Sequence, residues 1–276
     1  MYSFRFLPLS IFTKAAVLLT LAATGSQGQT LLSHYTMDNS LEDSGTLEID
    51  GELINSASFQ AGGAGTFDYA LSTADGTQDF FRADTSNNAA FALNAITISM
   101  WVNVSAFGDS DRLISNIGGS ASGFEMNLKT GALTDGDYRI SFGFNSTSGA
   151  VQSSDNVGYQ LDEWVFLAVT YDSSIGTGDN VSFYLGSETD SVVMNDSDAK
   201  SGAIVASSSD LEIGGTPATS SDRTPTALFN DVRIYNGVLD TAALESIRAS
   251  AIPEPAHTGV FVGALLMGLV VVRRRC

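Results

Sequence analysis

Cysteine occurs once in the 276 residues, at the last position, Cys276. An intrachain disulfide and a cysteine-ligated zinc site are therefore excluded. Histidine occurs twice, which leaves little room for a His-rich metal centre. Basic residues are scarce: 13 Lys and Arg stand against 31 Asp and Glu, a net charge of −18. With no basic stripe, the chain does not read as a nucleic-acid binder. No phosphate-binding loop, dinucleotide fingerprint, His-Glu-x-x-His motif or Gly-x-Ser-x-Gly elbow occurs. What remains is 43% hydrophobic and 9% aromatic, enough apolar material to build a core.

The few cations cluster at the ends. Arg5 and Lys14 precede or open the apolar run from Ala15 to Ala23, and Thr24 to Gly28 are mostly small. That order reads as a secretory signal peptide over residues 1–28, cut by signal peptidase; the run is short for a membrane span. At the other end Pro253-Glu254-Pro255 is followed by a 14-residue apolar run, Gly259 to Val272, and then by Arg273-Arg274-Arg275. As a helix that run is about 21 Å long, short for a hydrocarbon core of about 30 Å unless flanking residues and snorkelling arginines extend it. The arginines would stay cytoplasmic. Triplet, apolar helix and terminal Arg cluster resemble a PEP-CTERM sorting signal over residues 251–276. The resemblance implies export in a Gram-negative-type bacterium, transient residence in the inner membrane, cleavage near the triplet by an exosortase, and delivery to the cell surface or extracellular matrix. Between the ends, residues 29–252 hold eight basic and 30 acidic residues, a net charge of −22.

The middle segment reads as one all-β domain over residues 29–250. Gly, Ser, Asn, Asp and Thr clusters punctuate it, with short alternating runs between them. In Ala95–Val104, Ile96, Ile98, Met100, Val102 and Val104 share one face, and Thr97, Ser99, Trp101 and Asn103 the other. Trp164–Tyr171 is almost continuously apolar, as expected of a strand covered on both faces. Further strands are expected at 31–35, 113–117, 124–128, 138–144, 180–185, 211–213 and 229–235. Asp240 is placed to cap a short helix whose Leu244 and Ile247 pack back. The expectation is a two-sheet antiparallel jelly-roll sandwich with one short C-terminal helix.

Five segments in order carry a second resemblance: Leu31 to Asp38 with Asp43-Ser44-Gly45; Ile96 to Val102; Trp164 to Tyr171 with Val181 to Gly186; Leu211 to Gly215; and Phe229 to Asn236. Together they resemble a LamG-like, concanavalin A-like jelly roll. The resemblance implies that the first and last strands are neighbours, bringing Asp38 and Asp231 to one edge as a structural Ca²⁺ site. Phe229-Asn230 departs from the small turn with a second acidic residue expected before Asp231.

Other candidates are weaker. Asp109/Asp111, Asp135/Asp137 and Asp196/Asp198 lack the remainder of a calcium loop and read as turn charges. Glu48, Asp50 and Glu52 alternate as a glycosidase carboxylate set would on one strand, but Gly51 interrupts them. His34 reads as structural, and Trp164 as core. Trp101, on the polar-lined face, is the candidate for stacking on a sugar, with burial as the competing reading. No catalytic residue is assigned. The expectation is a non-catalytic carbohydrate-binding or adhesive surface protein, with exopolysaccharide or another surface glycan as partner. The alternatives are a glycan-degrading enzyme and a structural matrix protein without a specific ligand.

Overall fold

The computed structural model describes residues 28–62, 67–117, 121–131, 137–145, 151–152, 158–176, 178–216 and 222–252. Residues 253–276 of the sorting segment and all but the last residue of the signal reading lie outside them. In chain order the strands are β1 Thr30–Tyr35, β2 Gly51–Ile54, β3 Ser58–Ala61, β4 Tyr69–Thr73, β5 Phe80–Ala83, β6 Ala95–Ala106, β7 Arg112–Ser115 and β8 Phe124–Lys129. They continue as β9 Arg139–Phe144, β10 Val151–Gln152, β11 Val165–Asp172, β12 Val181–Ser187, β13 Val193–Asp198, β14 Leu211–Ile213 and β15 Thr226–Asn236, and one helix, α1 Thr241–Ala251, closes the domain.

The strands form two sheets. One runs β13-β12-β11-β6-β15-β4-β3, with β1 added on β15; the other runs β10-β9-β8-β7-β14-β5-β2. The alternation expected for β6 is realised. Ile96, Ile98, Met100, Val102 and Val104 are buried between the sheets, against Phe124, Met126, Leu128, Ile140 and Phe142 of the other. Each such side chain contributes about 1.5–3 kcal/mol relative to exposure.

A second, smaller apolar layer covers the other face of the eight-stranded sheet. It joins Trp101, Trp164, Phe166, Ala168 and Tyr184 to Leu244 and Ile247 of α1. The Asp240 side chain accepts the Ala243 N–H at 2.8 Å and starts this helix where expected. The two-sheet sandwich and its C-terminal helix are thus as expected. Strands β2, β3, β4, β5, β10 and β13 were not anticipated, because they are short and carry few β-branched residues in alternation. Cross-strand partners, rather than local pattern, hold them.

The outer face of the seven-stranded sheet is polar. Glu212 lies opposite Arg82 and Ser115, and Ser115 lies opposite Glu125. Arg82 approaches Glu212 at 3.0 Å and Arg112 approaches Glu125 at 2.9 Å. Glu212 is 0% exposed, and burial, only partly offset by Arg82, pushes its carboxyl up to about 7. Folded chains therefore hold a proton on Glu212 that unfolded chains, titrating near 4.5, have released. Stability from this group is complete below the unfolded value and declines as pH rises towards about 7. Glu212→Gln is expected to flatten the fall in melting temperature across that interval relative to the parent, as measured by thermal unfolding at a series of pH values.

Candidate functional site

β15 serves two partners along one edge. Its first half pairs with β4, from Ala227↔Thr73 to Phe229↔Leu71, and its second half with β1, from Val232↔Tyr35 to Asn236↔Thr30. Along the opposite edge the pairing with β6 shifts between Asn230 and Arg233. Asp231 sits in this bulge with φ 49°, a left-handed conformation that Asp tolerates better than most residues. Its N–H donates to the Thr36 carbonyl at 3.1 Å, fastening the end of β1 to the bulge.

The bulge turns the Asp231 carboxylate towards two cations or donors. Arg233 approaches Oδ1 through Nε and Nη2, both at 2.9 Å, and His34 Nε2 lies 2.7 Å from the same oxygen. Burial lowers the affinity of Arg233 for its proton, and the Asp231 carboxylate together with Tyr235 more than restores it, leaving the pKa above its ordinary value. The carboxylate only accepts, so His34 Nε2 carries the hydrogen; Nδ1 lies 2.8 Å from Ser44 Oγ, which also donates to the His34 carbonyl at 3.2 Å. Asp231 is 5% exposed, and its Oδ2 has no hydrogen-bond partner.

Around this carboxylate lies a pocket of about 450 Å³, lined by His34, Thr36, Asp38, Phe67, Asp68, Asn230, Asp231, Arg233, Ser250 and Ala251. The Asn230 amide donates to the Tyr69 carbonyl at 2.8 Å, and Asp38 accepts the Tyr69 N–H at 3.1 Å, so both are positioned by β4. Phe67 is held edge-on to Trp164 and Trp101, with centroids 4.7 and 5.7 Å apart. The last turn of α1 closes one side through Ser250 and Ala251.

Asp38 and Asp231 therefore share one pocket, as the resemblance implied. As a calcium shell the donor set is short. Calcium takes about six to eight oxygens, whereas one of the two carboxylates here is held by a guanidinium. Among the described residues no group of three His, Cys, Asp or Glu side chains is gathered for a metal. Asn230, where the sequence departs from the family pattern, lines the pocket as an amide instead of a carboxylate.

Trp101 requires a correction. It is 0% exposed, packed between Phe67 and Phe166 beneath the layer that α1 completes, and presents no face to a ligand. Trp164 is also covered, in that outer layer rather than between the sheets, and its Nε1 donates to the Gly62 carbonyl at 2.7 Å. Glu48, Asp50 and Glu52 do not alternate on one strand. Glu48 has φ 52° in a turn, Asp50 accepts the Asp43 N–H, and only Glu52 lies in β2. Asp109, Asp137 and Asp198 accept backbone N–H groups of Thr130, Leu161 and Ala199, which fits turn charges; Asp135 lies outside the described residues.

Sequence reasoning missed the company His34 keeps. The order Ser44, His34, Asp231 imitates a nucleophile relay. In its own loop, however, the N–H groups of Ser44, Gly45 and Thr46 are committed to His34 O, Asp43 Oδ1 and Leu31 O. None is left there to stabilise an oxyanion. The loop is seated tightly, since a Cβ at Gly45 would run into the Leu32 carbonyl oxygen.

This architecture agrees with the family comparison. Residues 75–244 match the concanavalin A-like lectin/glucanases superfamily. The chain belongs to that superfamily. No curated protein matches it in sequence. Among solved structures, the concanavalin A-like chain is similar to domain 4 of AbnA, a GH43 extracellular arabinanase from Geobacillus stearothermophilus, in complex with arabinotriose. The identity is 17% and the TM-score 0.58, over 80% of this chain and 98% of that one. It is also similar to the receptor-binding domain of botulinum neurotoxin type G (13% identity, TM-score 0.53), and to the binding domain of botulinum neurotoxin DC in complex with SialylT (12%, TM-score 0.56). In both toxin comparisons 80% of this chain spans about half of the toxin domain. At these identities the likeness is one of fold.

The Arg233–Asp231–His34 cluster should carry stability. Arg233→Gln leaves a buried carboxylate without its guanidinium and is expected to cost about 3 kcal/mol in urea unfolding, with Arg233→Lys recovering part of the loss.

Proposed function

We propose that the protein is an exported, non-catalytic carbohydrate-binding protein, and that the pocket around Asp231 receives the glycan. The observation that carries this reading is Asp231, which lines a polar pocket with an aromatic wall and whose buried Oδ2 has no partner. A buried acceptor left unmade costs about 1–3 kcal/mol, and a ligand hydroxyl is the kind of donor that removes that cost. Asn230 and Asp38 add amide and carboxylate edges, and Phe67 adds an apolar surface for a sugar ring. Complexes of the similar domains with arabinotriose and SialylT support a glycan as the ligand class. The pocket volume suits one or two sugar units.

A glycan screen with added calcium and again with EDTA tests this reading. Binding is expected, weakened about tenfold by Asn230→Ala through loss of a hydrogen-bonding edge. A screen without any binder favours the structural-matrix alternative, and cleavage of a bound glycan favours the enzyme. Calcium is a separate proposal for Asp38 and Asp231. A melting temperature raised by calcium and reversed by EDTA supports it, and an unchanged one removes it.

Delivery is proposed to follow the terminal segments: cleavage by signal peptidase, membrane retention by the Gly259–Val272 run, and release to the surface by an exosortase. Replacing Pro253, Glu254 and Pro255 by alanine is expected to leave the protein in the membrane fraction. Unchanged release to the surface refutes the sorting reading.

A further inference from the structure

We infer that the pocket around Asp231 selects glycans bearing a free amine, such as non-acetylated hexosamine units, over neutral, N-acetylated or acidic sugars. This rests on the glycan-binding reading and names its substrate class.

Three features converge on a cationic donor. The first is the composition of the wall. Asp38, Asp68 and Asp231 line it against Arg233, whose guanidinium is committed to Asp231 Oδ1, and His34, whose Nε2 meets the same oxygen. The second is Asp231 Oδ2. It is an acceptor with no partner on a residue 95% buried, and a carboxylate oxygen accepts only. An ammonium brings three donors and no acceptor, and it adds a full opposite charge to the hydrogen bond, which a neutral hydroxyl does not. The third is the end of α1. Ser250 and Ala251, in the last turn, face the pocket, and the carbonyls at a helix C-terminus carry a partial negative charge that favours cations.

Acidic sugars meet the opposite situation. A uronate or sialic acid needs an uncommitted guanidinium or ammonium. Of the eight basic residues between positions 29 and 252, at least five are in ion pairs with carboxylates, and Arg233 is among them. The surrounding charge of −22 repels a polyanion before contact and draws a cationic glycan in. An N-acetyl group replaces the ammonium with a neutral amide, which has one N–H donor and adds a carbonyl acceptor facing the carboxylates.

The test is titration calorimetry of the protein in EDTA at mildly acidic pH and physiological salt. The probes are four tetrasaccharides: β-1,4-glucosamine, its N-acetylated counterpart, cellotetraose and tetragalacturonate. The glucosamine oligomer is expected to bind about tenfold or more tightly than the others, the equivalent of about 1.4 kcal/mol. Asp38→Asn and Asp68→Asn, both on exposed residues, are each expected to reduce that preference, while Asp179→Asn in the turn between β11 and β12 leaves it intact. Asp231→Asn is expected to abolish the preference, provided circular dichroism shows it folded; the exposed variants decide the matter if it is not. Equal affinity for all sugars overturns the amine selection while the glycan-binding reading stands, as does tighter binding of the galacturonate. A preference unaffected by Asp38→Asn and Asp68→Asn shows attraction to the domain's overall charge and overturns the assignment to this pocket. Absence of binding to any probe overturns this inference; the glycan-binding reading itself fails only on the wider screen.

Discussion

The bulge at Asp231 is the junction on which the outer architecture depends. One strand, β15, must pair continuously with the long central β6 while offering its other edge first to β4 and then to β1. A flat strand could not hand over between partners at one point. The bulge supplies the change in direction, and the left-handed backbone at Asp231 releases its N–H to Thr36, where β1 ends. The carboxylate that this conformation buries is neutralised by Arg233 and bridged to β1 through His34. Chain closure and the pocket thus share a cause: the groups that tie the first strand to the last also form the floor of the cavity.

That arrangement sets the electrostatics of the domain. A chain with so few basic residues and so many acidic ones cannot place cations freely. The structure spends Arg82, Arg112, Arg233 and Arg248 on Glu212, Glu125, Asp231 and Glu245, the first three of these acids in strands. Other aspartates, among them Asp43, Asp109 and Asp137, accept backbone N–H groups of the loops. The pocket inherits this imbalance. Its guanidinium is committed within the protein, and its spare hydrogen-bonding capacity is an acceptor.

Much of the sandwich was legible in the chain. β6, β11, β12, β14 and β15 announce themselves through alternation or continuous apolar runs, because central strands must satisfy burial residue by residue. The α1 cap at Asp240 was legible for the same local reason. β3 and β13 were not. They lie at the edges of their sheet, where one side has no partner strand and the demand for apolar alternation is relaxed. Trp101 shows the limit of face assignment. Its strand neighbours Thr97, Ser99 and Asn103 are polar, which suggests a wet face, yet a helix encoded 140 residues later and Phe67 roof it over.

By itself the sequence determined the all-β class, the central strands, the acidic and cysteine-free character of the middle domain, and the pairing of Asp38 with Asp231 through its resemblance to a known family. These are properties of local pattern and of order along the chain. Tertiary structure alone decided that Asp231 is already bound to Arg233 and His34, that one of its oxygens is left without a donor, that Ser44 meets His34, and that Trp101 is interior. The joining of His34 to Asp231, 197 positions apart, depends on the first and last strands meeting at one edge of a sheet, and the cover over Trp101 depends on a helix from the far end of the domain. No periodicity in the sequence encodes a contact of that range. It arises only when the hydrophobic faces close and the first strand is laid beside the last.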